Sequence, residues 1–465
     1  MSNRHTRAIY ETTRHRAAAV SDRGPMRRTS DLVAGERSPE TAGAQFHPSV
    51  SRRHFTGSLI ASIVLARQVP LFAQGSDATR AAPSISASND LNPHWYGFNL
   101  LEYFSTDSDW LKYFPYKNDG MFREDDFRWM CDWGFNFVRL PMDYRFWTDP
   151  GDPMKIDEGK LEPIDRAVRL GERYGIHVNL CLHRAPGFCI LDSLDPVVTG
   201  IHITTEKRNF FTDPDARDAF LHQWTVFARR YRSIPSERLS FNLVNEPKVF
   251  STPRQDDARE GDRKGESPAK SELNARVEGA REYVQIAQAT IGCIHNTDPG
   301  RLIVVDGFDV ATEPVWELAS TRAIQSAHDY YPDAFTVYRA EWARGQESLT
   351  GVPAWPLANG RSKPAIGRDN IDAHFQPWRK LAASHVPIHI GEMGCYKHTP
   401  PQAVLAWFDD TLDVMEQLGA GWALWNFRGP FGVLDTERYG TRFEDWHGHS
   451  LDRPLLDLLQ KKMGR

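Results

Sequence analysis

From Asn92 onward the chain alternates short apolar runs with longer amphipathic stretches, and no other feature restricts its fold as strongly. The runs Trp95–Leu101, Phe135–Met142, His177–His183, Leu239–Val244, Arg301–Phe308, Ala323–Tyr331, Pro387–Met393 and Gly421–Phe427 read as strands. Runs such as Leu239–Val244 suit strands covered on both faces. Between the runs, Arg123–Trp133, Leu161–Tyr174, Ala216–Tyr231, Arg276–Asn296, Gln376–Ala383 and Ala403–Leu418 carry apolar residues at helical spacing. Parallel strands joined by crossover helices close naturally once there are eight of them. The predicted fold class is therefore α/β, a (β/α)8 TIM barrel occupying residues 92–465 as a single domain.

What precedes Asn92 has a different character. Residues 1–50 are rich in Arg, Ser, Thr, Gly and Pro without an apolar period and are expected to be disordered. Ser51-Arg52-Arg53-His54-Phe55-Thr56, the apolar run Leu59–Ala66 and Leu71-Phe72-Ala73 together resemble a twin-arginine export signal over residues 51–74, which implies a periplasmic or extracellular protein. The apolar run is short for a bilayer, so no stable membrane span is expected. Residues 75–91 read as a linker.

A net charge of -5 offers nothing to a nucleic acid. Cys131, Cys181, Cys189, Cys293 and Cys395 lack the spacing of a structural zinc site, and an odd count without a pattern argues against a disulfide framework. Cys181 and Cys189 are near enough in sequence to pair, although buried free thiols are the commoner outcome. Fourteen Trp, fourteen Tyr and twenty-five Phe supply core and, beyond it, flat faces on which sugar rings stack.

Two connections exceed what a barrel needs: Lys248–Asn274 after the fourth strand, highly charged, and Asp333–His374 after the sixth, with Trp342 and Trp355 among Pro and Gly. Both leave from the C-terminal ends of strands, the face on which barrel enzymes build their sites. Polar residues gather there too. Arg139 is expected to close the second strand, His183 the third, Asn245 and Glu246 the fourth, His328 and Tyr330 the sixth, Glu392 the seventh and Trp425 the eighth. Singly, each has a structural explanation, such as a satisfied core histidine or a buried salt-bridge arginine. Together at one barrel mouth they place much polarity out of water, and that calls for a functional reason.

Strands four and seven face one another across a barrel, so Glu246 and Glu392 are expected to oppose each other over the cleft. Two carboxylates about 5 to 5.5 Å apart perform retaining glycoside hydrolysis, one as nucleophile and the other as acid and then base. Arg139 and Tyr330 are expected to keep Glu392 ionised for attack. Burial and the charge of Glu392 are expected to keep Glu246 protonated. Asn245 would bind the sugar 2-hydroxyl and Trp425 would floor the reacting subsite.

These residues resemble glycoside hydrolase family 5, of the clan of retaining (β/α)8 enzymes. Asn245-Glu246-Pro247 is similar to its acid/base motif and Gly391-Glu392-Met393-Gly394 to its nucleophile strand. Phe137-Val138-Arg139-Leu140-Pro141, Leu182-His183-Arg184-Ala185-Pro186-Gly187, His328-Asp329-Tyr330 and Trp422-Ala423-Leu424-Trp425-Asn426-Phe427 resemble its other positions. The likeness spans Trp95–Leu459 and touches every strand except the fifth, which carries no motif. It implies a cofactor-free O-glycosyl hydrolase, expected to act as a monomer on a β-glucan or β-mannan. An endo-β-1,4-glucanase is the first choice. An endo-β-mannanase, an exo-acting β-glucosidase or exoglucanase, and a barrel that binds carbohydrate without cleaving it stay open. A zinc hydrolase using His183, His328 and the glutamates is the other rival, but no HExxH spacing is present and no metal is called for.

Overall fold

All eight predicted strands form, and they close on one another. The computed structural model describes residues 92–107, 121–193, 205–249, 270–343, 351–358 and 364–464. The strands are β1 (Tyr96–Asn99), β2 (Phe137–Asp143), β3 (His177–Ala185), β4 (Leu239–Asn242), β5 (Leu302–Asp306), β6 (Ile324–Asp329), β7 (Ile388–Met393) and β8 (Gly421–Leu424). Each pairs in parallel with the next and β8 pairs with β1, which makes a closed (β/α)8 barrel. The extension 1–50, the export signal 51–74 and the linker 75–91 lie outside the described residues. So do 250–269 of the first long loop and 344–350 and 359–363 of the second.

Burial runs the whole length of five strands: every residue of β2, β3, β4, β6 and β7 is buried, the polar ones included. Each Leu, Ile, Val or Phe removed from water there stabilises the fold by about 1.5–3 kcal/mol. The strands pack closely enough that a Cβ at Gly97 would lie 1.7 Å from the Phe137 carbonyl oxygen, so β1 tolerates only glycine at that point. Rings fill the barrel where the strands begin: Trp95 stacks on His177 at 4.0 Å, and Phe137 meets His389 at 4.7 Å. Burial holds both histidines down to about 3, so they stay neutral.

The surrounding helices are α1 (Glu124–Asp132), α2 (Glu162–Tyr174), α3 (Pro214–Arg230), α4 (Lys270–Thr297), α5 (Arg368–His374), α6 (Gln376–Ala383), α7 (Pro401–Leu418) and α8 (Arg453–Lys462). α2 shows the local logic. Pro163 sits in its first turn, and Ile164, Ala167, Val168 and Leu170 form the buried stripe. Between β5 and β6, short turns at Phe308–Ala311 and Trp316–Thr321 stand where a crossover helix would be. α5, inside the second long connection, is additional to the predicted helices, and so is α8. Its signals are the Asp452 side chain capping Leu455, Pro454 in the first turn, and buried Leu455, Leu456 and Leu459.

All five cysteines are free, with Cys181 and Cys189 both buried and unpaired. Among the described residues no helix is long and apolar enough to cross a membrane.

Candidate active site

Arg139 is the hub of the barrel mouth. Sequence spacing places it at the end of its strand, but four residues of β2 follow it, and the length of the side chain supplies the reach. It is 1% exposed. Nε donates to Asn242 Oδ1 at 2.9 Å, Nη1 to Asn99 Oδ1 at 3.0 Å and Glu392 Oε1 at 2.6 Å, and Nη2 to Asn245 Oδ1 at 2.8 Å. One planar fork thus ties β1, β2, β4 and β7 together.

Glu392 reaches this fork through an irregularity in β7. The β6–β7 ladder shifts register between Ile390 and Glu392, which sets Glu392 beside His328. Gly391 makes the shift feasible: a Cβ there would lie 2.4 Å from Ser326 Oγ and 3.1 Å from His328 Nε2. Glu392 is 4% exposed and also accepts from the Tyr330 hydroxyl at 3.0 Å. Burial raises its carboxyl above the usual carboxylate range, the charges of Glu246 and Asp306 add to this, and Arg139 opposes the rise without cancelling it. Two donors on one carboxylate favour the ionised form.

Glu246 lies just past β4, whose ladder ends at Asn242, two residues earlier than the apolar run suggests. Its φ of 46° is left-handed, a conformation costing a glutamate about 1–3 kcal/mol. Its backbone N–H donates to Asp306 Oδ2 at 3.1 Å and anchors the turn. The Glu246 side chain keeps 15% exposure, and Oε1 lies 2.9 Å from His328 Nδ1. Burial pushes the carboxyl up to about 8; the charge of Asp306 adds to this, and Arg139 and Asn245 oppose it. The leading charge therefore comes from Asp306, on the strand without a motif, and not from Glu392 as expected. Burial lowers His328, so the imidazole facing Glu246 is neutral.

The two carboxyl groups meet. Oxygens of Glu246 and Glu392 and a nitrogen of His328 lie within 4.8 Å of one another. Such a trio could ligate a divalent cation. A cation there would have to displace Arg139 from Glu392 and the proton from Glu246, so the residues present satisfy one another better without one. What the pair can do is acid chemistry from one side of a bond and nucleophilic attack from the other.

Trp425 and His183 stack at 5.9 Å, and Phe104 meets both edge-on. His183 Nδ1 is buried without a protein partner, the condition of a site that awaits a polar ligand, and Asn245 Nδ2 is turned toward the Glu246 carboxyl. Trp342 packs on Tyr396 at 4.9 Å and near Phe431, which also borders Tyr330. Trp355 instead packs on Phe335 and donates to Asp410 of α7 at 2.8 Å, on the helical layer. Beside Lys248, a recess of about 220 Å³ is lined by Phe188, Asp192, Glu206, Asn209 and Phe211 among others.

All eight predicted site residues thus converge, joined by Asn99, Asn242 and Asp306. The one available signal for Asp306 is that Leu302–Asp306 is an apolar run ending in a carboxylate, the same pattern that marks Glu246.

A family model described as "Cellulase (glycosyl hydrolase family 5)" matches residues 94–429. Endoglucanase C of Acetivibrio thermocellus is 21% identical over 67% of this chain and 85% of its own. Cellodextrinase A of Ruminococcus flavefaciens is 31% identical over 28% of this chain and 34% of its own. A solved structure described as a glycoside hydrolase superposes with a TM-score of 0.66 at 32% identity, covering 80% of this chain and 99% of that one. Thermotoga maritima Cel5A, in a complex with mannotriose, shares the fold at 20% identity with a TM-score of 0.54, over 79% of this chain and 97% of its own. With the family matched across most of the barrel, this chain belongs to glycosyl hydrolase family 5 and is an O-glycosyl hydrolase.

Proposed function

We propose that the protein is a retaining endo-β-1,4-glucanase in which Glu246 is the acid/base and Glu392 the nucleophile. One observation carries the assignment: carboxyl oxygens within 4.8 Å of one another have different partners, Glu392 a guanidinium and a phenol hydroxyl, Glu246 an imidazole. Glu246, pushed up to about 8, holds a proton at neutral pH. Glu392, on a guanidinium and a phenol hydroxyl, is disposed to attack. In the first step Glu392 bonds to the anomeric carbon as the glycosidic bond breaks, and the Glu246 proton passes to the leaving oxygen. In the second, water attacks that carbon, Glu246 takes its proton, and the bond to Glu392 breaks.

The remaining groups serve this sequence. Asn245 Nδ2, beside the Glu246 carboxyl, suits a sugar hydroxyl, and Trp425 and His183 form an aromatic floor. Endoglucanase relatives favour a glucan. The solved complexes of Thermotoga maritima Cel5A with mannotriose and with cellobiose keep a mannan as the second reading. Reducing-sugar release from carboxymethylcellulose, mixed-linkage glucan and mannan tests both. Turnover of a glucan that vanishes in Glu246→Gln and Glu392→Gln supports the reading, and none on any β-glycan defeats it. Export through residues 51–74 belongs to the same reading; replacing Arg52 and Arg53 by Lys should retain the protein in the cytoplasm.

A further inference from the structure

Glu246 needs a reason to keep its proton at neutral pH. We propose that Asp306 is the positioning residue that holds this proton in place, through the Glu246 backbone on one side and through His328 on the other. The inference rests on the acid role given to Glu246 above.

Asp306 ends β5, is fully buried, and meets the site from several directions. Oδ1 accepts from Asn242 Nδ2 at 2.8 Å and Oδ2 from the Glu246 backbone N–H at 3.1 Å. The same Oδ2 lies 3.4 Å from Arg139 Nη2 and 3.4 Å from His328 Nε2, the latter a contact between charge and ring without a hydrogen bond.

A count of charges explains the proton. Facing Glu246 are Arg139 from β2, Cys181 from β3 and Asp306 from β5. His328 and Tyr330, with Asp333 beyond them, come from the β6 side, and Glu392 from β7. Burial keeps the Cys181 thiol, the His328 imidazole and the Tyr330 hydroxyl neutral. Arg139 is the one cation of this set, and it is held between Glu392 and Asp306. Glu246 is a third carboxyl in the same low-dielectric space, and its neighbour at 2.9 Å is a neutral imidazole. One guanidinium cannot balance three buried carboxylates, so one must be protonated, and Glu246 is the one without the arginine.

His328 transmits the same bias. A neutral imidazole has a single N–H, and the nitrogen facing the Asp306 carboxylate is the favoured place for it. Nδ1 then presents a lone pair to Glu246 Oε1, and that contact is a hydrogen bond only while Glu246 carries its proton. Once the proton has gone to the leaving oxygen, the charge of Asp306 makes the new carboxylate a stronger base toward the attacking water.

The test is the pH profile of Asp306→Asn, which removes the charge and keeps the shape. The alkaline limb of kcat/KM should move down by at least about one pH unit, since a neighbouring like charge commonly shifts a carboxyl by that much. The loss should be far greater at pH 8 than at pH 5. Infrared titration without substrate provides a readout independent of activity. The protonated-carboxyl band absent from Glu246→Gln should titrate lower in Asp306→Asn, so failure of the glucan reading remains separable. Asp306→Ser, smaller and easier to accommodate, must move both readouts the same way. Asp306→Glu, which keeps the charge, must restore the limb. A limb and a band that stay put in either folded neutral variant, or an equal loss at every pH, overturn the proposal.

Discussion

Arg139 and Glu392 share a 2.6 Å ion pair in which the two side chains are 1% and 5% exposed. The contact is therefore unscreened, and the same guanidinium satisfies Asn99, Asn242 and Asn245. Lysine offers a point charge in place of a fork. Arg139→Lys should lower kcat by at least about 100-fold through lost electrostatic preorganisation. It should also destabilise the fold by about 3–5 kcal/mol, because Glu392 is left buried without its full complement of donors. Steady-state kinetics and urea unfolding read the two effects separately.

Glu246 carries a stability penalty that follows from its chemistry. Its carboxyl is raised from 4.5 to about 8 in the folded chain. Between those values the folded state holds a proton that the unfolded state releases, so stability falls as pH rises through that window. Glu246→Gln should therefore melt higher than the parent protein at pH 8, and the gap should shrink at pH 5. Calorimetry at the two pH values checks the sign.

The opposite sign applies where the strands begin. His177 and His389 are held from 6.5 down to about 3 by burial. Below pH 6.5 the unfolded chain takes up protons that these rings refuse, so stability is full above that pH and is lost progressively toward pH 3. Relative to the parent protein, His389→Gln should therefore gain in urea midpoint as the pH falls from 7 to 4.5.

Gly391 is the third kind of constraint, one of space. A methyl at 391 meets Ser326 Oγ at 2.4 Å and His328 Nε2 at 3.1 Å. Gly391→Ala should displace His328 and Glu392 together and reduce kcat by about 100-fold or more, as small misplacements of reacting groups do. Its far-ultraviolet circular dichroism should match that of the parent protein.

Much of this is legible in the amino-acid order because the physics is local. A strand covered on both faces is mostly apolar, so the eight barrel strands stand out, with ends that agree to within three residues. Residues such as Glu246, Glu392 and His328 are visible because polar groups end those runs. Arg139 is visible as a charge inside one, although its central position in β2 is not. Asp306 resists the same reading: nothing in Val304-Val305-Asp306-Gly307 says that its carboxylate meets the Glu246 backbone and His328. That relationship exists only once β4, β5 and β6 are adjacent. Trp342 and Trp355 make the point in reverse. They share one loop and one residue type, yet one joins the aromatic cluster beside Tyr330 and the other is fastened to α7.

The most direct test of the account is trapping of the glycosyl–enzyme intermediate with a 2-deoxy-2-fluoro-cellobioside carrying a good leaving group, followed by peptide mass spectrometry. The account predicts one sugar esterified to the peptide that contains Glu392, with labelling abolished in Glu392→Gln. It also predicts that Glu246→Gln, with the activated leaving group, is still labelled. A sugar on Glu246 or Asp306, or a product released with inverted anomeric configuration, would contradict it.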